Sequence, residues 1–360
     1  MLGNWLSFIE AWPLWLKLAV YVVSLALGIF CLVKFCNIFV DAACAIAKKT
    51  KISPLIIGLT IVAMGTSLPE LSVSVADSIK ALINNGTAET AIGNVVGSNI
   101  CNMLLVLGFS VVFTPILVKK NTIKREFPIL IGVSAILVIF VFLFSSNGVT
   151  GEITITRWEG AILAVGIVAY ITYLVISAKR HPEEIEVEQE EIKDMPWWKA
   201  IVLTIVGAVG IFAGGQFVEF GASGLATQGA LAMGLDENLT ASLVALTIVA
   251  VGTSLPELVT STIAAKKGQN EIALGNVIGS NIFNTLFVLG IAGTIYPLKV
   301  GNETYADVVI MMVVTLLVFV FALSGKLKRG HGIALLSIYG VYLAYLIMRT
   351  VRPEWFGWMM

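Results

Sequence analysis

The sequence predicts an all-α membrane protein with ten transmembrane helices, arranged as two inverted-topology five-helix repeats. Three observations lead to this fold class. Apolar residues make up 58% of the 360-residue chain and charged residues only 13%, whereas about a quarter of a soluble domain is charged. Apolar runs long enough to cross a bilayer recur along the whole sequence. Two copies of one motif then occur five predicted spans apart.

The ten predicted spans are close to the roughly 20 helical residues that a ~30 Å hydrocarbon core requires. In the first half they cover Leu18–Ala47, Pro54–Ile79, Ala91–Phe113, Phe127–Phe144 and Trp158–Ser177. In the second half they cover Trp197–Gly221, Leu239–Ala265, Ile272–Ile295, Val308–Leu323 and Ile333–Met348. We therefore divide the chain into a first five-helix repeat (1–178), an acidic linker (179–196) and a second five-helix repeat (197–360).

Two sequence blocks occur once in each half, within residues 58–108 and 245–290. The first block reads GLTIVAMGTSLPELSVS and then ALTIVAVGTSLPELVTS, and 13 of its 17 positions agree. The second reads GNVVGSNICNMLLVLG and then GNVIGSNIFNTLFVLG, with 12 of 16 positions alike. Because an odd number of spans separates the copies, they must cross the membrane in opposite directions. Inverted repeats of this kind are typical of secondary transporters.

The distribution of charge predicts the orientation. If the N-terminus is outside, 16 of the 23 basic residues lie on the cytoplasmic side, six lie outside and Lys34 lies within the first span. The positive-inside rule then places both termini outside and the linker in the cytoplasm. We expect an integral protein of the plasma (inner) membrane whose partner is the lipid bilayer. A formal net charge of zero gives no reason to expect nucleic acid, and the oligomeric state is left open.

The first block places a helix-breaking sequence in the middle of the second and seventh predicted spans. Pro69 and Pro256 lack the N–H that would continue the helical hydrogen bonds, so backbone carbonyls are released inside the membrane. Glu70 and Glu257 follow directly. A carboxylate at this depth costs a few kcal/mol and is seldom kept without a function. The doubled motif therefore predicts a functional site.

The predicted site is a cage of oxygen ligands. Related by a pseudo-two-fold axis, Glu70 and Glu257 are expected to meet near the membrane midplane. Hydroxyl groups one helical turn away, and two polar pairs on the second blocks that share a helix face, add neutral oxygens. These are Thr66, Ser67, Thr253 and Ser254, then Ser98 with Asn102 and Ser280 with Asn284. Such a cage suits Ca²⁺, which takes about six to eight hard oxygen ligands.

Glycine pairs accompany these polar residues in the second blocks. Gly93 and Gly97, like Gly275 and Gly279, are four residues apart and so lie on one face of a helix. This small-xxx-small spacing lets membrane helices approach closely. We expect the helices of the site to be tightly packed there.

At these residues the chain resembles the cation/Ca²⁺ exchanger superfamily, and within it the compact bacterial and archaeal sodium/calcium exchangers. The resemblance implies an antiporter that transports Ca²⁺ and Na⁺ by alternating access, without a cofactor and without enzymatic activity. It implies that Glu70 and Glu257 are ligands shared by both ions. The further ligands that it implies are Thr66, Ser67, Thr253, Ser254, Ser98, Ser280, Asn102 and the carbonyls of Ala63 and Ala250. Archaeal relatives can carry an Asp where this chain has Asn284.

Three alternatives remain. In a proton-driven Ca²⁺ exchanger, Glu70 or Glu257 would take up H⁺ in place of Na⁺. A cation channel with an acidic filter is the second, and the inverted symmetry argues against it. An intramembrane serine hydrolase is the third, but both histidines lie in predicted loops and leave Ser67 and Ser254 without a base.

Four further charged residues of the predicted spans carry expectations of their own. Asp41 and Glu219 occupy equivalent positions in the first and sixth spans, in the sequences FVDAA and FVEFG. They are expected either to line ion paths or to lie at the headgroup boundary. Asp77 lies on the same helix face as Glu70, where its charge would attract cations. Lys34 is expected to extend to the outer interface, with a pair to Asp41 as the alternative.

Overall fold

The computed structural model describes residues 12–84, 86–88, 90–144, 146–147, 153–180, 195–232, 240, 244, 250–352 and 355. This part of the chain is helical apart from short strands. In chain order its helices are α1 (Leu14–Thr50), α2 (Pro54–Thr66), α3 (Leu68–Asn84), α4 (Thr90–Phe113), α5 (Thr122–Leu143), α6 (Arg157–Arg180), α7 (Trp197–Ala232), α8 (Ala250–Thr253), α9 (Leu255–Lys266), α10 (Asn270–Ile295), α11 (Asn302–Ala322) and α12 (Arg329–Val351).

Within the described residues, eight helices are long and apolar enough to cross a membrane, and α2 with α3 forms a ninth candidate that is bent by 50°. These nine candidates overlap the predicted spans other than the seventh. Nine of the 27 residues of the seventh, Leu239–Ala265, lie outside the described residues, so the total of ten stays a prediction. The acidic linker likewise lies outside them from residue 181 to residue 194.

Several helices run further than their predicted spans. Helix α1 continues to Thr50 and α7 continues to Ala232, which gives them 37 and 36 residues. An apolar run marks only the part of a helix that lies in hydrocarbon, whereas the backbone hydrogen bonds can continue into the polar interface. The sequence pattern therefore underestimates the length of both helices.

Helices α4 and α10 form the centre of the molecule. Their most apolar stretches are 78% and 94% buried, whereas those of the other six long helices are between 22% and 44% buried. The outer helices present large aliphatic side chains such as Val165 and Val341 at the surface, as expected for helices that face lipid. The helices that carry the second sequence blocks are thus enclosed by the rest of the chain.

Short strands pair between the two halves of the chain. They are β1 (Ile116–Leu117), β2 (Ser146–Asn147), β3 (Ile153–Ile155), β4 (Leu298–Lys299) and β5 (Lys326–Leu327). Strand β1, after α4, pairs with β5 of the second half, and β4, after α10, pairs with β3 of the first half. The all-α prediction did not include these strands, because two or three residues are too few to show a strand period.

Helices α4 and α10 run in opposite directions. Near the start of α4, the carbonyl of Ala88 accepts a hydrogen bond of 2.9 Å from the N–H of Lys299, which follows α10. At the other end, Lys119 follows α4 and forms an ion pair with Glu271 in the first turn of α10. This one matching pair of helices is therefore antiparallel, as an inverted repeat requires. The complete arrangement of two sets of five helices stays a prediction.

Glycines allow α10 to lie directly against α2. A Cβ atom on Gly279 would be 2.7 Å from the Cα of Leu59, and one on Gly275 would be 2.7 Å from the carbonyl oxygen of Leu55. This contact confirms the predicted close approach for the second pair of glycines. At Gly93 and Gly97 no described atom lies within 4 Å of such a Cβ, so the close approach of the first pair of glycines stays a prediction.

We predict that Gly279→Val destabilises the protein by about 1–3 kcal/mol, because the added side chain overpacks the α2–α10 contact. The matched control is Gly340→Val on the exposed face of α12, where no described atom lies within 4 Å of the added Cβ. Thermal denaturation of the purified proteins in one detergent, followed by size-exclusion chromatography, compares them. Equal melting temperatures for the two variants would contradict the tight contact.

Candidate functional site

Both copies of the first block interrupt their helix at the same serine. Ser67 separates α2 from α3 with φ −83° and ψ 10°, and Ser254 separates α8 from α9 with φ −87° and ψ 1°. These nearly identical backbone angles lie outside the helical region, and each break is followed two residues later by a proline. The structure thus confirms that neither copy continues as an unbroken helix.

The second block also departs from regular α-helix at the same residue in both copies. A single wider π-helical turn covers Asn102–Val106 in α4 and Asn284–Val288 in α10. Single π-turns inside α-helices are frequent at functional sites. Both turns begin at an asparagine that the sequence placed in the site.

Every predicted site residue whose side chain is described is buried. Glu70 and Glu257 are both fully inaccessible, which for two carboxylates is rare unless they are paired or bind a cation. The other buried members are Ala63, Thr66, Ser67, Ser98, Asn102, Thr253, Ser254, Ser280 and Asn284. The side chain of Ala250 lies outside the described set.

Hydrogen bonds join the two repeats at this site. The hydroxyl of Ser67 donates to Oε1 of Glu257 at 3.2 Å. The hydroxyl oxygen of Thr66 lies 3.1 Å from Oδ1 of Asn276 and 3.4 Å from the hydroxyl of Ser280. The structure therefore brings residues of the first broken helix against both α9 and α10 of the second repeat.

A second set of contacts links α4 to α10. Nδ2 of Asn284 donates to the hydroxyl of Ser98 at 3.1 Å. Nδ2 of Asn102 donates to Oδ1 of Asn281 at 3.1 Å. The amide nitrogens of both predicted asparagine ligands are thus engaged with the opposite repeat.

Six oxygen atoms of the predicted site are buried and accept no hydrogen bond within the described part of the chain. They are both carboxylate oxygens of Glu70, Oε2 of Glu257, Oδ1 of Asn102, Oδ1 of Asn284 and the hydroxyl oxygen of Ser254. Buried acceptors are nearly always satisfied in native proteins. A bound cation would satisfy several of these acceptors at once, because it can take many oxygen ligands.

The chemistry of this donor set is specific. The described residues contain no cluster of three or more His, Cys, Asp or Glu that would hold a metal ion. The site instead combines two carboxylates with hydroxyl and amide oxygens. These hard, mostly neutral ligands suit Ca²⁺ and the alkali cations, and are poor ligands for Zn²⁺, Cu²⁺ and Ni²⁺, which prefer nitrogen and sulfur.

Two pairs of asparagines at the site were not singled out from the sequence. Nδ2 of Asn94 donates to the hydroxyl of Ser74 at 3.0 Å, and Nδ2 of Asn276 donates to the hydroxyl of Ser261 at 2.9 Å. The same bond therefore holds the second block to the first in each repeat. Asn99 and Asn281 form the other pair. Both pairs are asparagine in the two copies of the GN and GSN sequences, and this agreement is the signal that could have identified them.

The remaining charged residues of the spans have structural partners. Asp41 of α1 forms an ion pair with Lys267, next to the end of α9. The alternative that Lys34 pairs with Asp41 is therefore wrong, and Nζ of Lys34 lies 5.5 Å from the centre of the Phe30 ring. The sequence could not identify Lys267 as the partner because it is 226 residues from Asp41.

Asp77 and Glu219 make contacts that the sequence did not predict, and their expected roles toward cations stay predictions. Oδ2 of Asp77 accepts from the backbone N–H groups of Thr90 and Ala91, at 2.9 and 3.2 Å. It therefore caps the N-terminus of α4, where a negative charge is favourable. Glu219 of α7 lies beside the second broken helix, since its Cβ is 3.6 Å from where a Cβ of Gly252 would be.

Buried carboxylates on interrupted membrane helices are typical of secondary transporters of cations, and the similarity of the chain to known proteins agrees with that class. The chain belongs to the sodium/calcium exchanger family. The sequence model of this family, described as sodium/calcium exchanger protein, matches residues 20–179 and 199–348. The family consists of transporters, and the two matched segments fall on the two halves of the chain.

Relatives resemble the chain over most of its length. It is 38% identical to the putative antiporter CaxA of Alkalimonas amylolytica, over 85% of this chain and 91% of the relative. It is 32% identical to the sodium/calcium exchanger MaX1 of Methanosarcina acetivorans, over 89% of this chain and 97% of the relative. It is also 32% identical to the inner membrane protein YrbG of Escherichia coli, over 89% of this chain and 95% of the relative. The sodium-calcium exchanger NCX_Mj, soaked with zero Na⁺ and Ca²⁺, superposes with a TM-score of 0.72 at 30% identity, over 91% of this chain and 99% of that one.

Proposed function

We propose that this chain is an antiporter that exchanges Ca²⁺ for Na⁺ by alternating access at the buried site. The observation that carries the proposal is the group of six buried oxygens, from both repeats, that accept no hydrogen bond within the described chain. Four of these atoms come from Asn102, Asn284, Ser254 and Glu257, and two come from Glu70. A cation among them supplies the missing partner, and two carboxylates balance a divalent charge.

In this proposal the broken helices provide the charged ligands and the hydroxyl ligands. Glu70 and Glu257 bind the ion with Thr66, Ser67, Thr253 and Ser254, and the carbonyls of Ala63 and Ala250 add oxygens where the helices end. The carbonyl of Ala63 accepts the N–H of Ser67 at 3.0 Å, and a carbonyl oxygen has a second lone pair for an ion. The central helices complete the site through Ser98, Asn102, Ser280 and Asn284.

Competition for one set of oxygens makes the exchange obligatory. Two unneutralised carboxylates in a low-dielectric site are unfavourable, so the site should not change sides without cations. Hydroxyl and carbonyl oxygens around the carboxylates are suitable ligands for Na⁺, which favours Na⁺ over H⁺ as the coupling ion. The names of the relatives MaX1 and NCX_Mj, both sodium/calcium exchangers, also support Na⁺.

Helices α1 and α7 are the proposed moving element. They pack closely on each other, because a Cβ on Gly28 would be 2.8 Å from the carbonyl oxygen of Gly214. The same pair covers both broken helices: the Phe39 ring lies against Gly65, and Pro256 lies against Gly215. Sliding of this pair across the broken helices would expose the site to one side of the membrane and then to the other.

We predict that residues 179–196 are cytoplasmic and both termini are outside, because the basic residues divide that way. A cysteine introduced at Glu188, in a protein without the four native cysteines, should react with a membrane-impermeant maleimide only after the cells are opened. Reaction in intact cells would reverse the orientation.

We predict that an outward Na⁺ gradient drives Ca²⁺ uptake into proteoliposomes that contain the purified protein. A pH gradient of the same size, without Na⁺, should drive little uptake, and empty liposomes provide the baseline. Uptake driven by the pH gradient alone would favour the proton-coupled exchanger. Uptake that needs no counter-ion would favour a channel.

We predict that Glu70→Gln and Glu257→Gln each abolish Ca²⁺ exchange, whereas Asn284→Ala weakens it less. A Gln keeps the shape but leaves a divalent ion with a single counter-charge where electrostatic energies are large. Ca²⁺ flux and calorimetric Ca²⁺ titration of the folded variants measure this effect. Glu303→Gln, which removes an exposed carboxylate paired with Arg349, is the control. Near-normal exchange by either site variant would exclude a two-carboxylate site.

A further inference from the structure

Asn99 of α4 and Asn281 of α10 occupy equivalent positions and each binds the backbone of the other helix. Nδ2 of Asn281 donates to the carbonyl oxygen of Asn99 at 3.1 Å, and Nδ2 of Asn99 approaches the carbonyl oxygen of Asn281 at 3.5 Å. Both side chains are at most 2% exposed. These reciprocal contacts join the two central helices beside the predicted ligands.

These backbone contacts determine the orientation of the side-chain amides of Asn99 and Asn281. A backbone carbonyl can only accept hydrogen bonds, so the NH₂ group of each asparagine must face it and the side-chain oxygen must face away. Oδ1 of Asn281 then accepts from Nδ2 of Asn102 at 3.1 Å. Oδ1 of Asn99 accepts from Nδ2 of Asn284 at 3.3 Å.

This relay determines what Asn102 and Asn284 present to the site. Because their NH₂ groups are bound, their oxygens are the ends left to bind a ligand, and these buried oxygens accept no hydrogen bond within the described chain. If the amide of Asn102 or Asn284 were rotated by 180°, its oxygen would face the side-chain oxygen of Asn281 or Asn99. Its NH₂ group, which carries a partial positive charge, would then face the site. Either change is unfavourable when the site holds a cation.

We propose that Asn99 and Asn281 are positioning residues that hold the amide oxygens of Asn102 and Asn284 toward the transported cation. This inference rests on the proposed function, in which those two amides are ligands. Each positioning residue acts across the repeats: Asn281 of the second repeat orients Asn102 of the first, and Asn99 orients Asn284. The ion site therefore requires α4 and α10 to stay in contact, which makes them part of the fixed element during transport.

A double-mutant cycle on the full-length protein tests the role of Asn281. Loss of a residue that orients a metal ligand typically weakens metal binding by about tenfold or more, and we expect this for Asn281→Leu in calorimetric titration with CaCl₂. In the Asn102→Ala background, where no amide remains to be oriented, the same substitution should change Ca²⁺ affinity by less than about twofold. A merely structural role would give the same loss in both backgrounds and would overturn the proposal.

The other central amide is the matched control. In the Asn284→Ala background, Asn281→Leu should still weaken Ca²⁺ binding about tenfold, because Asn281 does not orient Asn284. The reverse pattern should hold for Asn99→Leu. If Asn281→Leu does not fold, Asn281→Ala and the Asn99 variants complete the cycle. A wild-type protein that binds no Ca²⁺ contradicts the proposed function, and the same cycle titrated with NaCl then decides the positioning role separately.

Discussion

The structure depends on the burial of two carboxyl groups inside a membrane protein. Glu70 and Glu257 are fully inaccessible, and isolated charges at such depth are strongly unfavourable. The interrupted helices, the antiparallel central pair and the polar residues of the second blocks all place oxygens or hydrogen-bond donors around these groups. A proline within a membrane span normally destabilises the helix. Here the interrupted helices leave polar backbone groups near the two carboxyl groups, which helps a low-dielectric interior to accommodate charge.

The two halves of the site are related by sequence but are not in the same state. Ser67 donates to Glu257, whereas the equivalent oxygen of Ser254 and both oxygens of Glu70 belong to the buried atoms without hydrogen-bond donors in the described chain. In an inverted repeat, the arrangement with the roles exchanged uses the same kinds of contact and so should have a similar energy. Two conformations of similar energy are what a transporter needs for its site to face either side.

Sequence reasoning succeeded where one residue type determines local structure. Pro69 and Pro256 broke their helices as predicted, since the missing N–H acts locally. It failed where partners are distant in sequence, as for Asp41 with Lys267, and where the element is too short to have a period, as for the strand pair β1 and β5. The orientation of the central amides was also beyond it, because that orientation follows only from backbone carbonyls on the facing helix.

Asn284 contributes a neutral ligand to the proposed site. Both N–H groups of its amide are bound, one to Ser98 and one to Asn99, so it offers a neutral oxygen whose charge cannot change with pH. An Asp at this position would add a third titratable group. Under the proposed function, the charge of the site is therefore set by Glu70 and Glu257 alone. One Ca²⁺ or two Na⁺ balance the two carboxylates, and any further Na⁺ must cross the membrane as net positive charge.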